Sequence, residues 1–274
     1  MENNTYPDKV YKYRTWSNKY HKRILTHNEV FLSSPELFND PFDCRIPTNY
    51  LSLDTIKKKE EYADGMIDKY KEEILRRGET LEYRKKIYLN DLIENLEGFQ
   101  RKQEEYLYNV QDNHYGVLSL SELWNNILMW SHYGDFHKGI CVGFHEKLMR
   151  DSNMFGKGGP VMYSEEFPFL DPFIDFSKDE EKRTFRYFQE THSKAKDWSY
   201  EKEYRLGTTF PHKPSISDRT FTIPDEFYSE IVLGVDFPKD DKEELINIAR
   251  SKSIPIYQAV KVPFKFEIDR IQIA

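Results

Sequence analysis

The first periodic pattern along the chain is an alternation of apolar and charged residues over residues 9–14, KVYKYR. Successive side chains of a strand point to opposite faces, so Val10, Lys12 and Arg14 share one face and the two tyrosines share the other. We expect a β-strand that ends at Arg14, with this side chain facing a cleft or solvent. A weak helix over residues 16–25 and a second strand over residues 29–33 complete a predicted β-α-β opening.

Residues 52–112 differ from the rest of the chain because they are dense in lysine and glutamate. Apolar residues recur among these charges at helical spacing, and Gly78-Glu-Thr80 interrupts the pattern. This predicts a helical hairpin, followed by a short third helix, whose charged faces are solvated. We interpret the segment as a helical insertion.

The stretch from Ser119 to Phe144 concentrates tryptophan, histidine, tyrosine, lysine and cysteine between two apolar runs. Such side chains need an apolar body packed and a polar tip satisfied, which is typical of a pocket wall. The pattern predicts a strand over 115–120, a helix over 125–133 that ends at Gly134, and a strand over 139–144. Ser119 and Glu122 have the spacing of a helix capping box.

A second alternating pattern covers residues 198–206, WSYEKEYRL. Read as one strand, it places Glu201, Glu203 and Arg205 on a single face, with the two carboxylates about 6.5 Å apart. That distance lets both act on one substrate at different atoms. The alternative is a solvent-facing ladder of ion pairs, which is common on edge strands.

The remaining patterns predict a strand over 160–164, a helix from Lys178 to about Lys196, strands over 230–234, 256–261 and 264–273, and a helix over 239–252. The predicted class is α+β, with small mixed or antiparallel sheets around a cleft. We expect a single domain over residues 1–274 with the helical insertion 52–112 inside it.

Composition narrows the possible functions. The formal net charge is −7, with an isoelectric point near 5.7, so the chain has no overall attraction for phosphate backbones or anionic membranes. Its two cysteines, Cys44 and Cys141, form no CxxC pair, which excludes a zinc ribbon. The N-terminal residues lack the apolar core of a signal peptide. We therefore expect a cytoplasmic protein without a membrane partner.

Two further clusters are candidates for ligand or metal contacts. Asp40 and Asp43 flank an Asn-Asp-Pro turn, where they either contact a ligand hydroxyl, a metal or Arg14, or only shape the loop through an Asx-turn. The spacing of His132, Asp135 and His137 matches no common zinc pattern, so we predict no metal site there.

Four motifs in fixed order, YKYR, FNDPFD, MWSHYGDFHKG and W-x2-E-x-E-x-R, resemble a widespread bacterial family of uncharacterised proteins found among accessory and phage-defence genes. The resemblance runs nearly end to end. It implies a toxin or antiviral effector that works with a neutralising antitoxin or another component of a defence system. It does not supply an activity.

A second resemblance implies an activity. A strand that ends in arginine, a later serine-containing strand and a last strand with Glu-x-Glu resemble the order of elements in ADP-ribosyltransferases. The resemblance implies that NAD is the consumed substrate, that Arg14 helps to hold it and that Ser119 or Ser121 supports the nicotinamide ribose. Glu203 would be the catalytic carboxylate, and Glu201 would assist the acceptor nucleophile.

Other residues of the central stretch complete this expected site. Trp130 and Tyr133 are expected to stack on nicotinamide or adenine, with His132 beside them on the cofactor. Substrate contacts are expected from Asp40, Asp43, Lys138 and Arg205. The sequence departs from the family pattern in its Ser-Leu-Ser motif and in Arg205, which is placed to neutralise one glutamate; Glu230 is a rival for the catalytic position.

Three functions remain open at this point. The first is an NAD-dependent ADP-ribosyltransferase or NAD glycohydrolase whose acceptor is a protein or nucleic acid. The second is a metal-dependent phosphodiesterase or nuclease built on Asp40, Asp43, His132, Glu201 and Glu203. The third is a module that binds a nucleotide-like ligand without turnover.

Overall fold

The computed structural model describes residues 6–156, 158–176 and 179–274. Unit 1 consists of Met1–Asn39, Asn113–Glu165 and Lys194–Ala274. Unit 2 consists of Asp40–Asp112 and Glu166–Ser193, so it contains the whole segment 52–112 together with a later stretch of chain.

The described residues form twelve strands: β1 (Lys9–Arg14), β2 (Glu29–Phe31), β3 (Tyr115–Ser121), β4 (Ile140–His145), β5 (Gly158–Pro160), β6 (Met162–Ser164), β7 (Ser193–Ala195), β8 (Glu203–Thr209), β9 (Thr220–Thr222), β10 (Tyr228–Leu233), β11 (Ile256–Lys261) and β12 (Ile268–Gln272). Their α-helices are α1 (Lys19–Thr26), α2 (Ile56–Lys69), α3 (Lys71–Arg76), α4 (Leu81–Glu94), α5 (Leu96–His114), α6 (Ile127–His132), α7 (Glu146–Asp151), α8 (Glu180–His192) and α9 (Lys239–Lys252).

Unit 1 is built on one eight-stranded sheet with the order β12-β11-β10-β4-β1-β3-β8-β5. Only the β10–β11 pair is parallel, and every other neighbouring pair is antiparallel. The predicted α+β class is confirmed, but the sheet is larger than the small sheets we expected. β2 pairs with β9 in a separate two-stranded sheet, so the predicted β-α-β opening does not lie within one sheet.

Both faces of the large sheet are covered. One face packs Val10 and its neighbours on β3 and β4 against α1 and α9 in the main core. The other packs Tyr11, Tyr13 and Cys141 against Trp130 of α6 in a second core. The predicted alternation of β1 is therefore confirmed, and its two tyrosines pack inward.

The sheet opens between β1 and β3. β1 pairs with β4 along six residues and β3 with β8 along seven, whereas β1 and β3 share the single pair Tyr11 and Ser121. Further along, β3 pairs through Val117 with Ser33 instead. In the intervening gap the Lys12 ammonium donates a hydrogen bond to the Ser119 carbonyl.

The turn after α6 runs through strained backbone. Asp135, Phe136 and His137 all have positive φ, at 53°, 53° and 68°. Such conformations cost roughly 1–2 kcal/mol per residue for an L-amino acid. The His137 amide donates to the Trp130 carbonyl, and the Asp236 amide donates to the His137 carbonyl, which fix the turn against the sheet.

The segment 52–112 is helical as predicted, but it forms four helices, α2 to α5, instead of a hairpin and a short third helix. The last, α5, has 19 residues and ends at His114. α2 and α4 enclose a small core of Leu53, Tyr62 and Leu92, and Thr80 caps α4 after the break that the sequence indicated at Gly78. α8 begins at Glu180, and the predicted helix start at Lys178 lies outside the described residues. In the part of the chain that the structure describes, no helix has the length and apolar character needed to span a bilayer.

The net negative charge belongs to unit 2. The sequence of unit 1 contains 23 lysines and arginines and 23 aspartates and glutamates, whereas that of unit 2 contains 17 and 24. The overall charge of −7 therefore says nothing about which ligands unit 1 attracts.

We predict that Gly234→Ala destabilises the protein by at least about 2 kcal/mol, because overpacking without room to relax has this cost. A Cβ at Gly234 would lie 2.1 Å from the backbone oxygen of His137. Chemical unfolding measures the change. Gly65→Ala in α2 is the matched control, since nothing lies within 4 Å of its Cβ and alanine favours a helix. Equal unfolding midpoints for the Gly234 variant and the wild type would contradict the prediction.

Candidate functional site

The segment WSYEKEYRL is not one strand. Lys196–Glu201 form a 3-10 helix, Lys202 adopts a left-handed conformation with φ 44° and ψ 52°, and β8 begins at Glu203. The predicted continuous alternation is wrong because a left-handed residue reverses the direction of the chain. Glu201 and Glu203 therefore approach the same point from different directions.

That point is the ammonium of Lys194, which lies 2.6 Å from Glu201 Oε2 and 3.1 Å from Glu203 Oε2. Arg205 binds Glu203 with both ends of its guanidinium, Nε to Oε1 at 2.7 Å and Nη2 to Oε2 at 2.8 Å. We call Lys194, Glu201, Glu203 and Arg205 the ionic cluster. All four side chains are buried, and a buried carboxylate stays ionised only with such partners.

Glu203 is held as an ionised carboxylate. Burial alone would raise its pKa, but Arg205, Lys194 and the neighbouring Ser119 outweigh burial and bring the pKa well below its ordinary value. A carboxylate offers about four acceptor positions. Arg205 fills two of them and Lys194 a third.

Glu201 is less completely paired. The Tyr133 hydroxyl donates to Oε1 at 2.7 Å, and Lys194 donates to Oε2. These bonds fill about half of its acceptor positions. Burial and the neighbouring Glu201 carboxylate raise the pKa of Tyr133, so this phenol stays protonated and remains a donor.

The two predicted serines lie beside the cluster on β3, opposite its two strand residues. Ser119 faces Arg205 and Ser121 faces Glu203 in the antiparallel register. The Ser121 hydroxyl donates to the Glu201 carbonyl at 2.7 Å and accepts the Leu123 amide, so Ser121 shapes the backbone. Ser119 helps to lower the pKa of Glu203.

β1 contributes two cations without acidic partners. Among the described residues, neither Lys12 nor Arg14 forms an ion pair, and Arg14 has no side-chain hydrogen bond. Burial lowers the pKa of Arg14 to about 10. Burial, and then Arg14, lower the pKa of Lys12 well below its usual range.

His21 on α1 lies in the field of both cations. Its Nδ1 atom is buried without a hydrogen-bond partner. Burial, and then Arg14 and Lys12, lower the pKa of His21 to about 4, so the imidazole is neutral at pH 7. Two cations and an unpartnered imidazole nitrogen thus share the end of β1 next to the opening in the sheet.

The other predicted site residues are spread more widely. Trp130 is fully buried and donates its Nε1 hydrogen to the Trp124 carbonyl, so it is a core residue and offers no face for ring stacking. His132 is exposed and pairs through Nδ1 with the Tyr200 hydroxyl at 3.1 Å. Lys138 is exposed after the strained turn.

Asp40 and Asp43 belong to unit 2. The Asp40 carboxylate accepts the Phe42 amide at 2.9 Å, which is the Asx-turn that the sequence allowed. Both carboxylates are buried. Their contact with a substrate stays a prediction.

Glu230, the rival carboxylate, sits in a separate buried cluster. Lys9 lies 2.6 Å from it, Arg270 also pairs with it, and the Tyr11 hydroxyl donates to it at 3.0 Å. Three strands, β4, β1 and β3, separate its strand β10 from β8 in the sheet. Glu230 is therefore remote from both serines of β3.

Sequence reasoning missed Lys194, Lys12 and Tyr163. The Tyr163 hydroxyl accepts the Glu203 amide at 2.8 Å and so fixes the start of β8. The shared face of Lys12 and Arg14 was a usable signal for Lys12. Nothing in the spacing indicated Lys194, because the turn at Lys202 brings it to the glutamates.

Within residues 6–156, 158–176 and 179–274, no group of three or more His, Cys, Asp or Glu side chains is arranged to hold a metal ion.

Residues 129–206 match the model of a family described as "Protein of unknown function (DUF2971)". The matched stretch includes Tyr133 and all four residues of the ionic cluster. It confirms the resemblance to an uncharacterised family over these residues. No curated protein and no solved structure matches the chain.

We predict that Lys194→Met destabilises the protein by about 3 kcal/mol, because it leaves two buried carboxylates without their shared cation. Adding Glu201→Gln removes one of those charges and is expected to restore part of the loss. Chemical unfolding of the single and double variants gives the coupling free energy. Strictly additive effects would show that the two side chains do not interact.

The low pKa of His21 predicts a loss of stability on acidification. Between its unfolded pKa near 6.5 and its folded pKa of about 4, the unfolded chain binds a proton that the folded chain does not. Stability attributable to His21 is therefore present above pH 6.5 and falls as the pH approaches 4, by up to about 2 kcal/mol. Unfolding curves of His21→Gln, measured over the same pH range, should fall less steeply than those of the wild type.

Proposed function

We propose that the protein cleaves NAD at the nicotinamide glycosidic bond and transfers ADP-ribose to an acceptor or to water. One observation carries this proposal. The arginine, serine and glutamate strands, which resemble those of ADP-ribosyltransferases, are the adjacent strands β1, β3 and β8, and Ser119 helps to lower the pKa of Glu203. Strands far apart in the chain supply these residues, so their adjacency is a property of the fold.

The opening between β1 and β3 supplies the donor site in this proposal. Lys12 and Arg14 lie at its edge without acidic partners. The pyrophosphate of NAD carries two negative charges, and charge-assisted hydrogen bonds to phosphate oxygens are among the stronger polar contacts. Bound pyrophosphate would offset the mutual repulsion of the two cations and give the buried His21 Nδ1 atom a partner.

The chemistry needs a fixed negative charge beside the ribose. As the bond from C1′ to the nicotinamide nitrogen breaks, its electron pair leaves with nicotinamide and positive charge develops on the ribose. A preorganised carboxylate stabilises that charge. The acceptor then attacks C1′ and gives up its proton, for which Glu201 has acceptor positions available.

The pairing of Glu203 sets a condition on this mechanism. A ribose hydroxyl reaches its carboxylate either at the acceptor position that Arg205 and Lys194 leave or by replacing one of these cations. The remaining position is easier to reach, because the two cations contribute charged hydrogen bonds. Donor binding would therefore leave the two cations in place.

The alternatives receive no specific support. The phosphodiesterase residues divide between the units, with Asp40 and Asp43 in unit 2 and the other three in unit 1. The binding module without turnover would use the same residues beside the opening between β1 and β3, and would differ only in leaving the ligand uncleaved. Both remain as outcomes of the experiment below.

We predict that the purified protein releases nicotinamide from NAD, with or without added cell lysate, and that Glu203→Gln lowers the rate at least about 100-fold, as loss of a transition-state electrostatic contact does. Glu230→Gln is the matched control, because it too removes a buried glutamate held by a lysine and an arginine. Arg14→Gln is expected to raise the KM for NAD more than it lowers kcat. A chelator should have no effect.

Absence of release by the wild type under all conditions would overturn the proposal. Chelator-sensitive cleavage of NAD to AMP and nicotinamide mononucleotide, without free nicotinamide, would favour the phosphodiesterase. NAD binding without turnover, detected by calorimetry, would favour the binding module. Equal loss in Glu203→Gln and Glu230→Gln would point to disturbed folding, which circular dichroism of both variants checks.

A further inference from the structure

A row of aromatic side chains borders the ionic cluster. The ring centroids of Trp198 and Tyr200 lie 6.1 Å apart with the rings tilted by 39°. His132 meets Tyr200 at 5.8 Å and Tyr133 at 6.2 Å, in both cases edge to face. We call these four residues the aromatic row. His132 is exposed and the other three are partly exposed, so the row reaches solvent.

The row is held rigidly by its own contacts. Asn126 caps α6 through the Met129 amide and donates its side-chain amide hydrogen to the Tyr200 carbonyl at 2.7 Å. The His132 imidazole pairs with the Tyr200 hydroxyl. One asparagine thus joins the two segments that carry the rings.

Both ends of the row contact the cluster. The Tyr133 hydroxyl bonds Glu201, and the Lys194 ammonium lies 5.0 Å from the centre of the Trp198 ring. A ring placed on the row would therefore lie near Glu201, whose acceptor positions are only about half filled. The other ring nitrogen of His132, Nε2, has no hydrogen bond among the described residues.

We infer that the aromatic row binds an unpaired nucleobase of single-stranded nucleic acid, which is the ADP-ribose acceptor. That the bound nucleic acid accepts ADP-ribose rests on the proposed function, whereas its binding to the row does not require NAD cleavage. Partly exposed aromatic side chains in series are the usual platform for unpaired bases, which stack on them regardless of sequence. Polar groups on the edge of a base suit the exposed imidazole of His132.

The position of the row separates it from the donor. The cations that suit the pyrophosphate lie on β1, whereas the row comes from α6 and Lys196–Glu201 and meets the cluster at Glu201. A peptide acceptor fits less well, because the row presents no charge that would select an ionic side chain.

The electrostatic surroundings of the row predict how binding responds to salt. Lys196 pairs with Glu165 at 2.5 Å, Asp197 lies beside it, and unit 1 contains equal numbers of acidic and basic residues. With few phosphate contacts to release counterions, affinity should fall only slightly as salt is raised. Stacking, rather than backbone charge, would supply most of the affinity.

The test is anisotropy of a labelled short single-stranded oligonucleotide, as DNA and as RNA, titrated with the intact protein without NAD. We expect wild-type binding with a shallow salt dependence and a loss of about tenfold or more in Tyr200→Ala. Tyr200→Phe keeps the ring and should bind within about threefold of wild type, since it loses only one exposed hydrogen bond. Phe264→Ala, which removes a fully exposed ring elsewhere in unit 1, is the control and should bind normally.

A second measurement links the row to transfer. With labelled NAD and the same oligonucleotide, Tyr200→Ala should lower label transfer to the oligonucleotide by a larger factor than it lowers nicotinamide release. Failure of the wild type to bind oligonucleotide would overturn the inference, as would a Tyr200→Ala variant that loses NAD affinity but binds oligonucleotide normally. Transfer of label to protein instead of oligonucleotide would also overturn it. Oligonucleotide binding that depends on Tyr200 in a protein that never releases nicotinamide would uphold the nucleobase site and reject the proposed transferase.

Discussion

The bidentate pair between Arg205 and Glu203, with Lys194 bridging to Glu201, is the interaction that the candidate site depends on. Buried charges at this position are tolerated only as a complete set, because removing one partner leaves another ion unpaired in a medium of low polarity. The left-handed backbone at Lys202 serves this requirement. It lets Glu201 from a 3-10 helix and Glu203 from β8 meet at one ammonium.

The opening between β1 and β3 complements this closed cluster. Where the strands part, Lys12 and Arg14 form no ion pair with any described residue, and burial makes their charge costly, although Glu203 and Glu201 act on Lys12 from a distance. The ionic cluster on one side of β3 therefore consists of ion pairs, whereas Lys12 and Arg14 on the other side form none among the described residues. An anionic ligand is the simplest partner for these two cations, and it would lie beside the ionic cluster.

The sequence predicted the bounds of an element best where a single hydrophobic periodicity applied along the whole element. β1, β11 and α9 agree with their predicted bounds, because each keeps one pattern from end to end. The WSYEKEYRL pattern failed because alternation does not reveal a left-handed residue in its middle. The ligand role expected of Trp130 fails for a different reason: composition shows that an aromatic residue must be packed, but not whether its face stays open. Lys194 was out of reach, since only the tertiary turn makes it a neighbour of the glutamates.

Glu201 and Glu203 differ in how completely their carboxylates are paired, and this difference suits them to different roles in the proposed reaction. Glu203 is held ionised by Arg205 and Lys194 and has a strongly lowered pKa, which under the proposed function suits a fixed charge and not a base. Glu201 has free acceptor positions and is joined through Tyr133 to the partly exposed aromatic row. A reaction that builds positive charge on one reactant and removes a proton from another needs one group of each kind. The cluster supplies both within reach of a single lysine, with the unpaired cations of β1 on one side and the aromatic row on the other.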